Sequence, residues 1–155
     1  MLRGGVLCKT GLRRKTNQDR AGMLAEGDTC LCYVADGMGG HYDGEKASGL
    51  IAQVLTDWWQ SSHEAARTVP LRELADRFRQ LLDGCAARLH QETPPGEYCG
   101  STIVLLWING GQYLMITAGD SRCYRLKAGL LHTEFCQLST DDVYHASGPQ
   151  DASLE

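Results

Sequence analysis

Three short clusters of glycine and acidic residues in the 155-residue sequence are candidates for chemistry. In the first, Asp36 and Gly37 follow an apolar segment, so a carboxylate and an approachable backbone carbonyl would lie together at the end of a buried strand. Oxygen ligands of this kind suit hard cations such as Mg²⁺ and Mn²⁺. An Asp-Gly pair is also typical of a turn, and taken alone the turn is the better interpretation.

The other two clusters contain Asp19, which follows a basic segment, and Asp120, which lies within Gly119–Arg122. Asp19 could hold a metal-bound water while Arg14 binds a phosphate through two parallel hydrogen bonds. Taken alone, a surface ion pair is the better interpretation of the same residues. Asp120 lies between two predicted strands, which favours a tight hairpin in which its carboxylate bonds to its own backbone. The absence of Walker A and GxGxxG motifs from the sequence disfavours nucleotide binding.

Two helices between groups of strands must position these clusters. Apolar residues recur at three- and four-residue steps over Glu45–Ser61 and Leu71–His90, which predicts two amphipathic helices. The apolar run Thr29–Ala35 predicts a strand buried on both faces. Strands, two helices and more strands, in that order, are typical of an α+β fold with antiparallel sheets.

The remaining predicted strands surround these elements. One short strand is expected within Met1–Leu12, and Asn109-Gly110-Gly111 predicts a hairpin turn. The others are expected at Arg20–Ala25, Thr102–Ile108, Gln112–Ala118, Ser121–Lys127 and Leu130–Leu138.

Composition limits the class of protein. The net charge is −4 and 43% of the residues are hydrophobic, as in ordinary globular domains. The mild acidity and the lack of a basic run argue against nucleic acid as a partner. The longest apolar run, Ile103–Ile108, is too short to span a membrane. The seven cysteines include no CxxC pair, and the N-terminus lacks the apolar stretch of an export signal, so we expect a cytoplasmic protein.

Taken together and in order, the clusters resemble the metal-dependent protein phosphatase family (the PPM or protein phosphatase 2C type), and the bacterial serine/threonine phosphatases look closest. The resemblance extends from Arg14 to about Asp142, with two helices between the Asp36 cluster and the Asp120 cluster. Its motifs are R-x-x-N-x-D from Arg14, V-A-D-G-M-G-G-H from Val34 with G-E-x-A-S from Gly44, G-S-T at Gly100–Thr102, G-D-S-R-x-Y at Gly119–Tyr124 and L-S-T-D at Leu138–Asp141.

The resemblance implies a four-layer αββα sandwich, in which two antiparallel sheets are flanked by helices and a metal centre lies at one end. Two Mn²⁺ or Mg²⁺ ions would share a bridging hydroxide that attacks the phosphorus of a phosphoserine or phosphothreonine. Metal coordination lowers the pKa of such a water and neutralises charge in the transition state.

The same resemblance assigns roles to individual residues. Asp36 matches the bridging carboxylate of the family, and the carbonyl of Gly37 matches a ligand of one ion. Asp19 matches a carboxylate that contacts the centre, often through water, and Arg14 matches the phosphate-binding arginine. Asp141 falls where some members place a ligand of a third, weaker ion.

The sequence also departs from the family pattern. The usual N-E-D is Asn17-Gln18-Asp19, and the usual Asp-His pair is Asp141-Asp142. The Ser-Asp-Gly cluster and the late Asp-Asn pair, whose aspartates complete the metal site in the family, do not occur. We therefore expect a phosphatase domain over residues 1–142 that lacks its C-terminal strands, and a polar, disordered tail over residues 143–155.

These departures leave alternatives open. The chain could be a natural truncation, an excerpt of a longer protein or a half that pairs with another chain. The expected function is a serine/threonine phosphatase acting on phosphoproteins, and the alternative is a non-catalytic phosphatase-like module that binds them. Unpaired sheet edges left by missing strands would favour self-association.

Overall fold

The computed structural model describes residues 2–12, 14–39, 44–129 and 133–142. The predicted tail over residues 143–155 lies outside these ranges. Within them, strands, two helices and further strands follow one another as the sequence predicts. The elements are β1 (Asp19–Glu26), β2 (Thr29–Met38), α1 (Gly44–Ala66), α2 (Leu71–Glu92), β3 (Gly100–Ser101), β4 (Ile103–Asn109), β5 (Gln112–Ala118), β6 (Tyr124–Ala128) and β7 (Thr133–Gln137).

The larger sheet is antiparallel and five-stranded, with the order β1-β2-β4-β5 and with β3 paired to the end of β2. Strands β6 and β7 form a separate hairpin. The predicted turn between β4 and β5 is confirmed, because Asn109 pairs with Gln112 and leaves two glycines as the loop. Both helices contact the larger sheet. The α+β class is therefore confirmed, with a helix pair, a large sheet and a small sheet among the described residues.

Apolar side chains of both helices bury one face of the larger sheet. In α1 the buried positions include Ile51, Leu55 and Trp59, which are spaced at four-residue steps and so lie on one side of the helix. Phe78 of α2 and Trp107 of β4 are both fully buried against them. Burial of these aromatic rings contributes a large share of the apolar area that stabilises the domain.

The opposite face of the larger sheet is only partly covered. Along β2, Leu31, Tyr33 and Ala35 are buried under the helices, whereas Val34 points the other way and is 47% exposed. The prediction that this strand is buried on both faces is therefore wrong at Val34, because the helices cover one face only. Cys123 lies on the open side, where it helps to line a cavity of about 480 Å³.

Several predicted boundaries shift. The described residues 2–12 form no strand, so the predicted N-terminal strand is wrong. The strand predicted from Ser121 begins at Tyr124, because the segment before it bonds to the chain around Ser139 instead of to a neighbouring strand. None of the seven cysteines, all of which lie in the described ranges, forms a disulfide. Within the described residues, no helix combines the length and apolar composition needed to cross a bilayer.

Candidate metal and phosphate site

Four chain segments meet at one end of the larger sheet. In an antiparallel order, the start of β1, the end of β2, the start of β4 and the end of β5 share the same edge. Asp19 is the first residue of β1 and pairs in register with Asp36 near the end of β2. Two of the predicted site carboxylates are therefore neighbours on adjacent strands.

The backbone before Asp19 is held by β2 and by α1. The carbonyl of Gln18 accepts a hydrogen bond from the Gly37 amide at 3.2 Å and another from the buried hydroxyl of Ser48 at 2.6 Å. Asn17 caps the start of β1, since its side-chain oxygen accepts from the Asp19 amide at 3.0 Å. These bonds fix the backbone position from which the Asp19 side chain extends.

The backbone of Asp36 is held by the segment between β3 and β4. Its amide donates to the Thr102 hydroxyl at 3.0 Å. Its carbonyl accepts from the Thr102 amide at 2.9 Å and from the Ser101 hydroxyl at 3.1 Å. Since all of these bonds use its backbone groups, none of them occupies the carboxylate.

Asp19 and Asp36 line a cleft of about 570 Å³ together with Arg14 and Lys9. Arg14 donates to the side-chain oxygen of Gln18 at 2.9 Å, which directs the guanidinium along this cleft. A cleft with two carboxylates on one side and two basic side chains can hold a cation and the phosphate that it binds.

Electrostatics at this end favour a bound cation. The pKa of Asp36 is raised above its ordinary value of 3.8, first by partial burial, then by a hydrogen bond with Asp19 and by the negative charges of Asp19 and Asp120. The positive charge of Arg14 acts in the opposite direction. Like charges held this close repel each other until a cation is placed between them. The donor set, made of carboxylate oxygens, is the one that Mg²⁺ and Mn²⁺ prefer, so the residues present fit the implied ions.

Gly37 is packed against the first residue of α1. A methyl group built on Gly37 would lie 2.1 Å from the Gly44 carbonyl oxygen, and one built on Gly44 would lie 2.7 Å from the Gly37 carbonyl oxygen. The close approach of the two backbones therefore requires glycine at both positions. It sets the direction of the Gly37 carbonyl, whose role as a ligand stays a prediction.

Asp141 makes contacts of a different kind. Its carboxylate accepts two hydrogen bonds at 3.0 Å from Nε of Arg122 and one at 2.5 Å from Nη2, and a further one at 3.2 Å from the side-chain amide of Gln137. The guanidinium of Arg122 lowers the pKa of Asp141 below its usual value. The amide of the next residue, Asp142, donates to the Gly119 carbonyl at 2.9 Å, so this segment lies beside the loop after β5. The role of Asp141 toward a third ion stays a prediction.

Sequence reasoning missed two residues that the fold brings to this end. Asp120 was interpreted as part of a turn, yet its charge acts on Asp36. The antiparallel meander carried the available signal, because it places the end of β5 at the same edge as the end of β2. Lys9 comes from a segment without regular structure, and no pattern in the sequence marked it.

A second group of potential ligands lies at the far end of β1, about 23 Å away along the strand. Nitrogen and carboxylate atoms of Glu26, His63 and Glu64 lie within 4.8 Å of one another. Glu26 is already engaged there, because it contacts His63 Nε2 at 3.1 Å and Arg67 Nη2 at 3.5 Å. With two basic groups on one carboxylate, we interpret this group as an ion-pair cluster.

A sequence model described as Protein phosphatase 2C matches residues 12–144, which is most of the chain. The chain belongs to the protein phosphatase 2C family. The match includes the site residues Arg14, Asp19, Asp36 and Asp141.

Curated relatives in this family carry phosphatase names. The chain is 31% identical over 144 residues to the serine/threonine protein phosphatase PstP of Mycobacterium tuberculosis, covering 93% of this chain and 26% of that protein. It is 29% identical over 138 residues to the serine/threonine phosphatase stp of Listeria welshimeri, covering 84% of this chain and 51% of that protein. The chain thus spans about half the length, or less, of these relatives.

Solved structures of family members share the fold. The crystal structure of Mycobacterium tuberculosis PstP/Ppp superimposes with a TM-score of 0.67 at 28% identity, covering 89% of this chain and 54% of that one. The solved structure of the S. agalactiae serine/threonine phosphatase gives a TM-score of 0.71 at 26% identity, covering 87% of this chain and 54% of that one. The expected protein phosphatase 2C fold is therefore confirmed over the described part of the chain.

Proposed function

We propose that this chain contributes the Asp19, Asp36 and Arg14 side of the active site of a metal-dependent protein serine/threonine phosphatase. The observation that carries the proposal is the pairing of Asp19 with Asp36 across two adjacent strands, with the negative charge of Asp120 acting on the same point. The phosphatase names of the curated relatives support the reaction class.

Each residue has a task that its surroundings allow. Asp36 and Asp19 hold the cations, since backbone bonds fix both residues and leave their carboxylates in the cleft. Mn²⁺ or Mg²⁺ bound there supplies an activated water and neutralises phosphate charge. Arg14 binds phosphate oxygens, because a guanidinium offers parallel donors to two of them. Gly37 and Asp141 are proposed as further ligands, through the carbonyl and the carboxylate respectively.

The substrates proposed are proteins that carry phosphoserine or phosphothreonine. An open cleft lined by Lys9 and Arg14 suits a phosphate on an extended peptide, and the net charge of −4 does not suit nucleic acid. Seven cysteines without a disulfide among the described residues support a cytoplasmic setting. Self-association through the outer strands β1 and β5 is proposed as well, because both end the larger sheet among the described strands.

The test is Mn²⁺-dependent hydrolysis of a phosphothreonine peptide by this chain, with Asp36→Ala and Asp57→Ala compared at matched concentration. Asp57 lies on the exposed side of α1 and serves as the control. We expect Asp36→Ala to lower turnover at least about a hundredfold, which corresponds to about 2.7 kcal/mol of transition-state stabilisation. Asp57→Ala should retain turnover.

Unchanged turnover in Asp36→Ala would contradict the assignment. A folded wild-type chain that binds the phosphothreonine peptide saturably but does not hydrolyse it would favour the non-catalytic binding module instead.

A further inference from the structure

Thr102 lies between Asp36, near the end of β2, and the loop after β5 that carries Asp120. It sits between β3 and β4, and only 2% of its surface is exposed. Its hydroxyl accepts the Asp36 amide at 3.0 Å and lies 2.6 Å from the hydroxyl of Ser121. Ser121 directly follows Asp120, so one buried oxygen is bonded next to both acidic residues.

The backbone and methyl group of Thr102 reinforce the same arrangement. Its amide donates to the Asp36 carbonyl at 2.9 Å, so Asp36 is bonded to Thr102 through both of its peptide groups. Gly119 has a φ of +91°, and a methyl group built on it would lie 2.7 Å from Cγ2 of Thr102. The loop before Asp120 can therefore approach only as closely as the Thr102 methyl allows.

Thr102 cannot itself touch a peptide substrate, because it is buried. Its polar atoms instead reach residues that line the cleft region: Ser121 and Asp36 line one cavity of about 400 Å³ together with Asp19. Any effect of Thr102 on chemistry must pass through these neighbours. A buried hydrogen bond that joins the end of a strand to a loop restricts their relative motion, since breaking it leaves a buried polar group unsatisfied.

Resting on the proposed function, we propose that Thr102 is a positioning residue whose hydroxyl holds Asp36 and the Asp120 loop at a fixed separation. The hydroxyl is the group that matters here, because it is the atom that joins the Asp36 amide to Ser121. The methyl group sets the distance to Gly119 and is secondary.

The first test measures hydrogen exchange of the Asp36 amide by NMR in Thr102→Val, Thr102→Ser and Thr117→Val. Valine keeps the shape and removes the hydroxyl, whereas serine keeps the hydroxyl and removes the methyl. Thr117 is a matched control on β5 at the same end of the sheet. We expect exchange at Asp36 to become about fivefold to tenfold faster in Thr102→Val, and to stay within about twofold in the other two.

The second test measures consequences for the reaction. Thr102→Val should lower kcat for a phosphothreonine peptide about tenfold and raise the Mn²⁺ concentration needed for half-maximal turnover, with KM for the peptide changed less than about twofold. Thr102→Ser should restore most of kcat. Partial unfolding also lowers apparent kcat at constant KM, so turnover is normalised to the folded fraction, and the raised Mn²⁺ requirement is the readout that a general loss of stability would not move.

Ser121→Ala offers a variant that leaves the Asp36 bond intact. We expect normal Asp36 exchange in this variant and increased mobility of Gly119–Ser121 in ¹⁵N relaxation. Ser121→Ala therefore tests the hydrogen bond between Thr102 and the Asp120 loop even where Thr102→Val folds poorly.

Three outcomes would overturn the proposal: unchanged Asp36 exchange in Thr102→Val, exchange in Thr102→Ser as fast as in Thr102→Val, or an unaltered loop in Ser121→Ala. A wild-type chain without turnover would contradict the proposed function, and the exchange and relaxation data would still decide the role of Thr102.

Discussion

The two ends of the β1-β2 strand pair carry carboxylates in contrasting surroundings. At the far end, Glu26 contacts His63 at 3.1 Å and Arg67 at 3.5 Å, so its negative charge is balanced by basic groups. At the near end, Asp19 faces Asp36, the negative charge of Asp120 adds to theirs, and the positive charge of Arg14 offsets only part of it.

The difference arises from what helix α1 brings to each end. The end of α1 supplies His63, and Arg67 follows the helix directly. At the beginning of α1, Gly44 and Ser48 contact backbone groups, and Glu45 pairs with Arg20 instead of with Asp19 or Asp36. Even Arg20, next to Asp19, directs its guanidinium to Glu45 and to backbone carbonyls. One end is thus a structural ion-pair cluster, whereas the other keeps the excess negative charge that a cation site needs.

The largest effect on the free energy of unfolding is expected where α1 packs against the end of the sheet that carries Asp19 and Asp36. Gly44→Ala would place a methyl group 2.6 Å from a backbone carbon of Gly37, so we expect a loss of about 3 kcal/mol in the free energy of unfolding. Gly49→Ala, five residues along the same helix, meets nothing within 4 Å and should gain about 0.5–1 kcal/mol. Thermal unfolding of both variants tests the contrast, and equal shifts would show that the Gly37–Gly44 contact is not tight.

Neutralising one carboxylate at each end of the β1-β2 pair should change the free energy of unfolding in opposite directions. Without divalent cations, Asp36→Asn relieves repulsion and should stabilise the chain by less than about 1 kcal/mol, because solvent screens a partly exposed charge. Glu26→Gln weakens two ion pairs and should destabilise it by about 0.5–1 kcal/mol. Urea unfolding measures both.

Mn²⁺ provides the control for this pair of variants. Added Mn²⁺ should stabilise the wild type and Glu26→Gln but not Asp36→Asn, because a ligand that binds only the folded state raises its stability. Destabilisation of the metal-free chain by Asp36→Asn would remove the distinction between the two ends.

The smallest effect expected is on the pH dependence of stability. The pKa of Asp36 is raised above 3.8 in the folded chain, so the folded state holds this proton more tightly than the unfolded state does. Its contribution therefore makes the chain less stable as the pH rises from 3.8 through the raised value. The stability of the wild type minus that of Asp36→Asn should fall as the pH rises above 3.8. A flat difference in urea unfolding would indicate that Asp36 titrates normally.

The contribution of Asp141 to the pH dependence of stability has the opposite sign. Its pKa is lowered by Arg122, so its contribution is present above 3.8 and is lost as the pH falls below that value. The two contributions fall in separate pH ranges, above 3.8 for Asp36 and below 3.8 for Asp141. Subtracting the stability of Asp36→Asn from that of the wild type therefore isolates the contribution of Asp36.

The sequence predicted the helices and most strands, since these depend on local patterns. The apolar spacing predicted both α1 and α2. Their observed ends lie a few residues beyond the predicted ones, because backbone hydrogen bonds continue past the apolar stripe. Motif order predicted that Asp19, Asp36 and Arg14 would meet, and they line one cleft. Their catalytic roles stay predictions.

Val34 and Asp120 show what the sequence patterns could not predict. An apolar run does not say what covers each face of a strand, so the exposure of Val34 was not predictable. A Gly-Asp turn appears the same whether its carboxylate faces solvent or a second carboxylate, so the influence of Asp120 on Asp36 required the sheet order.

By itself, the sequence determined the family, the α+β class and the residue types available for holding a cation and a phosphate, because these follow from local composition and motif order. Only the tertiary structure decided which carboxylates face each other and which are neutralised by basic groups. Charge interactions depend on distance through space, and distances between strands are set by sheet register and helix packing. Thr102 illustrates the point, since its hydroxyl matters only because folding places it between Asp36 on β2 and the Asp120 loop.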